Sequence, residues 1–260
     1  MSDKFKYSDS QIKDLLNRIY SGEITEYEIP ESLYFAIADY LKKGLYDGFG
    51  GNLTDFKGKD LELLTELREN TFMFSGGKAY HQIKEYRTLL LDESGNLRSQ
   101  REFTQLAAKE FETWNVSWGL TERQTAIGQA QMAVKWNEIE RNADILPILE
   151  FSTNGKPCEI CAPYNNFSAP VHDAVWNWAT PLLHFNCECI ILQHEDTHAV
   201  SSKEKYSSIQ DLKETVPEVF QMNPGKDKVI YSESHPYFEV PAKDKDYALA
   251  NFNLPIPKKD

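Results

Sequence analysis

Cysteine is absent from most of this 260-residue chain. No thiol stands before position 158 or after position 189. The four that exist fall between, as Cys158-x-x-Cys161 and Cys187-x-Cys189, with His184 three residues ahead of the second pair. That distribution excludes a disulfide framework spread along the chain. An apolar signal segment is also missing after the opening Met1-Ser2-Asp3-Lys4, so an oxidising compartment, and with it a pair of disulfides, is not expected. Positive charge is scarce: 28 Lys and Arg stand against 40 Asp and Glu, a net charge of −12. Such a chain has no basic surplus with which to release counterions from phosphates, which argues against wrapping nucleic acid, although a local basic patch stays open. No apolar run approaches the length of a membrane span, so no membrane partner is expected.

What is present is the cysteine cluster. Cysteines of a core scatter along a chain, whereas the ligands of one ion must come together. A tetrahedral Zn²⁺ site takes thiolates and neutral imidazoles, often as two short clips joined by a loop. Lys156-Pro157-Cys158-Glu159-Ile160-Cys161 is the first clip. The second, Leu183-His184-Phe185-Asn186-Cys187-Glu188-Cys189, offers three more donors. Cys158, Cys161, His184, Cys187 and Cys189 are therefore five candidate zinc ligands for four seats, and the sequence does not choose among them. A thioredoxin-like redox pair would explain Cys158 and Cys161 but leave the second clip idle.

Several enzyme signals lack a necessary part. Pro157-Cys158-x-x-Cys161 fits half of a zinc-dependent base deaminase, which also needs a carboxylate two residues after an upstream ligand. The upstream histidine is His81, followed by Gln82 and Ile83, so that carboxylate is missing. Gly76-Gly77-Lys78 continues into Ala79, without the hydroxyl that would hold Mg²⁺, and position 72 is not glycine. The stretch from Gly51 to Gly58-Lys59 has the wrong spacing for a phosphate loop. Both glycine clusters are read as helix breaks. His194-Glu195-Asp196-Thr197-His198 has metalloprotease spacing, but that motif works on a helix, and here it follows the strand-like run Cys189-Ile190-Ile191-Leu192-Gln193.

The coarse reading is α+β: a mostly helical N-terminal region over 1–144, a small zinc-stapled β module over 145–198, and an extended C-terminal region over 199–260. Helices are expected over 11–20, from Pro30-Glu31-Ser32 to about Gly48, from about Lys59 to a break at Gly76-Gly77, through Ile83 to Leu90, from about Ser99 to Trp114, and from Thr121, as N-cap, to Arg141. Asp92-Glu93-Ser94-Gly95-Asn96 reads as a turn. Ala126, Ala130 and Ala133 form a small-residue stripe that would admit a close neighbour, with Met132 and Trp136 adding bulk. Ile145–Phe151 and Cys187–Gln193 read as paired strands, with Cys187 and Cys189 on one face. From about residue 197 the chain turns polar, and a loosely built extension is expected. The aromatics of Trp176-Asn177-Trp178 and Tyr237-Phe238 either fill a core or offer a protein-binding surface.

Three stretches together resemble the Mu F-like minor head (head morphogenesis) proteins of tailed bacteriophages. They are the helical segment from Trp114-Asn115-Val116-Ser117-Trp118 to Ala133-Val134-Lys135-Trp136, the strand Phe151-Ser152-Thr153 leading into Cys158-x-x-Cys161, and Leu183-His184-Phe185-Asn186-Cys187-Glu188-Cys189. The resemblance covers roughly residues 75 to 195. Two positions depart from the family pattern: Phe185 stands for a proline and Glu188 for an arginine. Neither removes a ligand, but Glu188 removes a positive charge. The resemblance implies a virion component in the head interior, contacting the portal protein and other head proteins, touching packaged DNA weakly at most, present in the host cytoplasm during assembly, and not an enzyme. A zinc-dependent hydrolase using His194, Glu195 and His198, a nuclease toxin, and a cellular zinc-ribbon adaptor are the competing readings. An open metal position would favour the hydrolase; a closed four-ligand site favours structure.

Overall fold

A computed structural model describes residues 4–155 and 158–258. The expectations placed on Met1–Asp3, on Lys156-Pro157 at the head of the first clip, and on Lys259-Asp260 lie outside the described residues. The chain is helical in its N-terminal part and forms a small three-stranded antiparallel sheet later. It divides into two compact units. One holds the chain up to Gly44, Arg68–Arg123 and Pro236 onward; the other holds Leu45–Leu67 and Gln124–His235.

In the first unit, helix α1 (Asp9–Tyr20) starts at a capping box in which Ser8 and Gln11 bond reciprocally, and it buries Leu15, Leu16 and Ile19. Helix α2 (Glu31–Phe49) follows Pro30. Helix α3 (Gly58–Thr88) runs unbroken through Gly76-Gly77, against the expected interruption. The physical reason is close approach. A β-carbon at 76 would collide with the Asn251 side chain, and one at 77 with the Tyr237 backbone carbonyl. These glycines make room for the C-terminal segment at the cost of helix propensity, about 1 kcal/mol each. The turn at Asp92 forms as read, with its Oδ1 accepting from the Ser94 and Asn96 amides, each at 2.9 Å.

Helix α4 (Gln100–Glu112) opens on a Ser99–Glu102 capping box. It does not end at a free terminus. A π-helical segment, Thr113–Trp118, carries it directly into helix α5 (Gly119–Asn142), so Thr121 lies inside a helix and caps nothing. The wider π turn changes which carbonyls find an intrahelical partner. The Trp114 carbonyl accepts a 2.6 Å bond from the buried Lys78 ammonium, which also pairs with Glu122. Burial pulls the Lys78 pKa down, and the Glu122 charge works against that fall. Tyr237 donates to the other Glu122 oxygen at 3.2 Å.

The C-terminal segment from Pro236 is packed, contrary to the expected loose extension. Asp244, Asn251, Phe252 and Leu254 are buried in the first unit. Polar groups that read as solvent-facing are consumed internally: Tyr80 and Tyr27 donate to the Asp244 carboxylate at 2.7 and 3.0 Å. Tyr34 donates to the Pro255 carbonyl at 2.9 Å, and Arg68 to the Pro257 carbonyl at 2.6 Å. Gly77→Val is expected to expel this segment, measured as faster amide exchange over 236–258 with α1 and α4 unchanged.

The second unit packs α5 against the sheet and its loops. Ala126, Ala130 and Ala133 are fully buried, as the small-residue stripe required. A β-carbon at Gly128 would stand 2.8 Å from Leu182, another close approach. The sheet has the order β2-β1-β3, with β1 Ile148–Ser152, β2 Phe167–Pro170 and β3 Ile190–His194. Strands β1 and β3 pair as expected, and do so antiparallel, but each lies later in the chain than read, and β2 was not anticipated. Leu149, Phe151, Phe167, Ala169 and Ile191 face a core that also holds Trp136, Ile139, Tyr164 and Trp176. Trp176 and Trp178 are thus core residues, and the surface reading of that loop is corrected. Helix α6 (Lys203–Asp211) follows, with Ile209, Val216 and Phe220 joining the same core. Among the described residues, no helix is long and apolar enough to cross a membrane.

Candidate metal centre

The first clip is held by the loop that leaves β1. The Thr153 amide and hydroxyl both bond to Asn165 Oδ1, at 3.1 and 3.0 Å, which closes the loop on itself. Inside it, the Ala162 amide bonds to the Cys158 carbonyl at 2.8 Å, and the Cys161 amide points at Cys158 Sγ from 3.3 Å. Cys161 is fully buried within the core, while Cys158, Cys187 and Cys189 pack partly buried against it.

The second clip turns at Asn186, whose φ of 58° is the left-handed geometry that asparagine tolerates. That turn bonds the Cys187 amide to the His184 carbonyl at 3.3 Å. It brings His184, Cys187 and Cys189 back toward the first clip. Cys187 and Cys189 precede β3 rather than lying on it, so the turn, and not strand alternation, aims their sulfurs.

The structure brings all five candidates together. Cys158, Cys161 and His184 form one donor group and Cys161, Cys187 and Cys189 another, each with donor atoms within 4.8 Å of one another and with Cys161 common to both. Cys161 and Cys187 sulfurs lie 3.7 Å apart. That is far beyond a disulfide bond and close to the sulfur–sulfur edge of a tetrahedral zinc site, about 3.8 Å for bonds of about 2.3 Å. Cys158 Sγ is 3.0 Å from His184 Nε2. His184 Nδ1 lies 2.7 Å from the Phe185 carbonyl, which fixes the proton on Nδ1 and leaves the Nε2 lone pair facing the sulfurs. This is the outer partner expected of a metal-ligating histidine. The cluster could bind a metal ion, and the donor set fits one.

Thiols this close do not ionise independently. Hydrogen bonds from Cys161 and then Cys189 hold the Cys187 thiol far down, at about 2, whereas its hydrogen bond to Cys187 pushes Cys161 up. A cation would be needed for the remaining sulfurs to ionise together, so metal uptake is expected to release protons and to weaken as pH falls. A dye-monitored proton count during zinc addition to apo protein checks this, and no release would contradict it.

The run His194 to His198 is not helical: His194 ends β3 and His198 lies in the following turn. The two imidazoles nonetheless meet, their rings 3.9 Å apart and 8° from parallel. Glu195 is exposed, and the carboxylate they share is Glu150, 3.2 Å from each Nε2. Sequence reasoning missed Glu150. The signal was present in Ile148-Leu149-Glu150-Phe151, a charge on the outward position of a strand whose partner ends in histidine. Comparison with protein-family models, curated proteins and solved structures found no match to this chain.

Proposed function

We propose that this chain is a structural minor head protein of a tailed bacteriophage, seated in the head interior beside the portal, where it aids head assembly or DNA delivery. The observation that carries this reading is the joining of the two cysteine clips on Cys161, after a helix and a strand in the chain whose sequences resemble the Mu F-like minor head proteins. The ion would be Zn²⁺, because a sulfur-rich tetrahedral donor set suits it. Cys158, Cys161, His184, Cys187 and Cys189 supply the donors for its four seats. Zinc there would add folding energy to that of the apolar core around the small sheet.

The partner in this reading is protein. With a net charge of −12, the long-range field opposes tight binding to DNA. Co-expression with the cognate portal protein, followed by size-exclusion chromatography, tests the assignment. Co-elution at moderate salt is expected; elution apart from the portal, with salt-sensitive binding to DNA, would overturn it. Glu195→Gln is expected to leave folding, metal content and head assembly unchanged, since Glu195 is exposed and belongs to neither donor group. Loss of infectivity in a well-folded Glu195→Gln phage would favour the hydrolase instead.

A further inference from the structure

We infer that Glu150, His194 and His198 form a second metal site, for one divalent ion of the zinc class, on the outer face of the sheet. Strand alternation builds it. Leu149 and Phe151 face the core, so Glu150 faces out from the central strand. The register places Ile148 opposite His194 and Ser168 opposite Glu150, so His194 and Ser168 share that outer face. His198 is folded back over it by a turn, with its amide bonded to the Glu195 carbonyl at 3.1 Å. The Ser201 amide to the Ser168 carbonyl, and the Ser168 amide to Ser201 Oγ, both at 2.9 Å, anchor the returning chain to β2.

The donor geometry fits an ion. One donor atom from each of Glu150, His194 and His198 lies within 4.8 Å of the other two. Each histidine Nε2 is 3.2 Å from the same Glu150 oxygen. In a tetrahedral site with Zn–O and Zn–N bonds of about 2.0–2.1 Å, the oxygen–nitrogen edge is about 3.3 Å. Two imidazoles and a carboxylate, with a fourth position left for water, form a donor set characteristic of open zinc sites. The His194 and His198 side chains keep 29% and 31% of their exposure, so the pair lies at the surface rather than in the core.

A purely hydrogen-bonded cluster accounts for less. His194 Nε2 is shut off from solvent and makes no hydrogen bond, although Glu150 Oε2 is near; its approach is not that of a donor to an acceptor. A buried nitrogen without a hydrogen-bonding partner is costly, and a metal ion in front of its lone pair removes the cost. His198 Nε2 has a further neighbour in Ser168 Oγ at 3.2 Å.

Cobalt separates this site from the cysteine cluster, because only thiolate ligation gives intense sulfur-to-cobalt charge transfer. The full chain titrated with Co²⁺ is expected to take two equivalents, one with that band and one without. Glu150→Gln, which keeps shape and a hydrogen-bond acceptor, and His198→Ala should each weaken the sulfur-free equivalent at least tenfold. The charge-transfer equivalent should survive in both and reports that the protein is folded. A wild-type chain that takes only the thiolate equivalent would overturn the inference, as would a sulfur-free equivalent unchanged by Glu150→Gln. The inference does not depend on the phage reading.

Discussion

Cys161→Ser is expected to abolish metal binding at the cysteine cluster and to unfold the sheet and loops of the second unit. Cys161 is the one residue common to both donor groups, so its loss leaves neither of them complete. Zinc binding at structural cysteine sites is worth about 10–16 kcal/mol at neutral pH, comparable to or larger than the whole stability of a typical domain, about 5–15 kcal/mol. Serine also leaves a hydroxyl in a fully buried position lined by apolar side chains. Amide exchange is the measurement. Protection over β1 and β3 should fall to the level of unfolded chain, while α1 and α4 stay protected. Chelator treatment of the wild type should give the same pattern, reversed by zinc in the wild type and not in the variant. Full protection in metal-free Cys161→Ser protein would show that apolar packing alone holds the unit.

The second large effect is electrostatic. Glu122→Ala should destabilise the protein by about 3–5 kcal/mol, because it strips the counter-charge from a fully buried ammonium. Lys78 would keep only the Trp114 carbonyl. The 3.2 Å bond from Tyr237 would be lost as well. The double variant Lys78→Met with Glu122→Leu should recover most of that loss, since a buried ion pair is often replaceable by apolar groups of similar volume. Urea unfolding of the three proteins decides it. A double variant no more stable than Glu122→Ala would mean that the pair itself carries the stability.

Much of the architecture was legible, and its failures share a cause. The helix start near Ser99, the turn at Asp92 and the alanine stripe were readable because each is local, whereas the cap at Ser8 lies ahead of the helix as read. The five candidate ligands were readable because their spacing is itself a constraint. Gly76-Gly77 misled because glycine signals a break and a close approach equally, and only the fold supplies Asn251 and Tyr237 as the neighbours. The passage from α4 to α5 misled because a π turn has no sequence signature, so Thr121 looked like a cap. Strand β2 is four residues ending in proline, too short to carry an alternation. The C-terminal segment looked solvated because Asp244 and Asn251 are polar, yet both are hydrogen-bonded in the interior. Glu150 needed knowledge of register: nothing local links it to residues more than forty positions away.

The central claim, that the cysteine clips hold one ion as a staple, is tested most directly by coupling thiol chemistry to metal release. Protein purified without a histidine tag and without added metal is titrated with a mercurial thiol reagent while free zinc is followed with a metallochromic dye. The prediction is about one Zn²⁺ released per chain, in step with reaction of the four cysteines. Reaction of all four thiols with no release of zinc would contradict it.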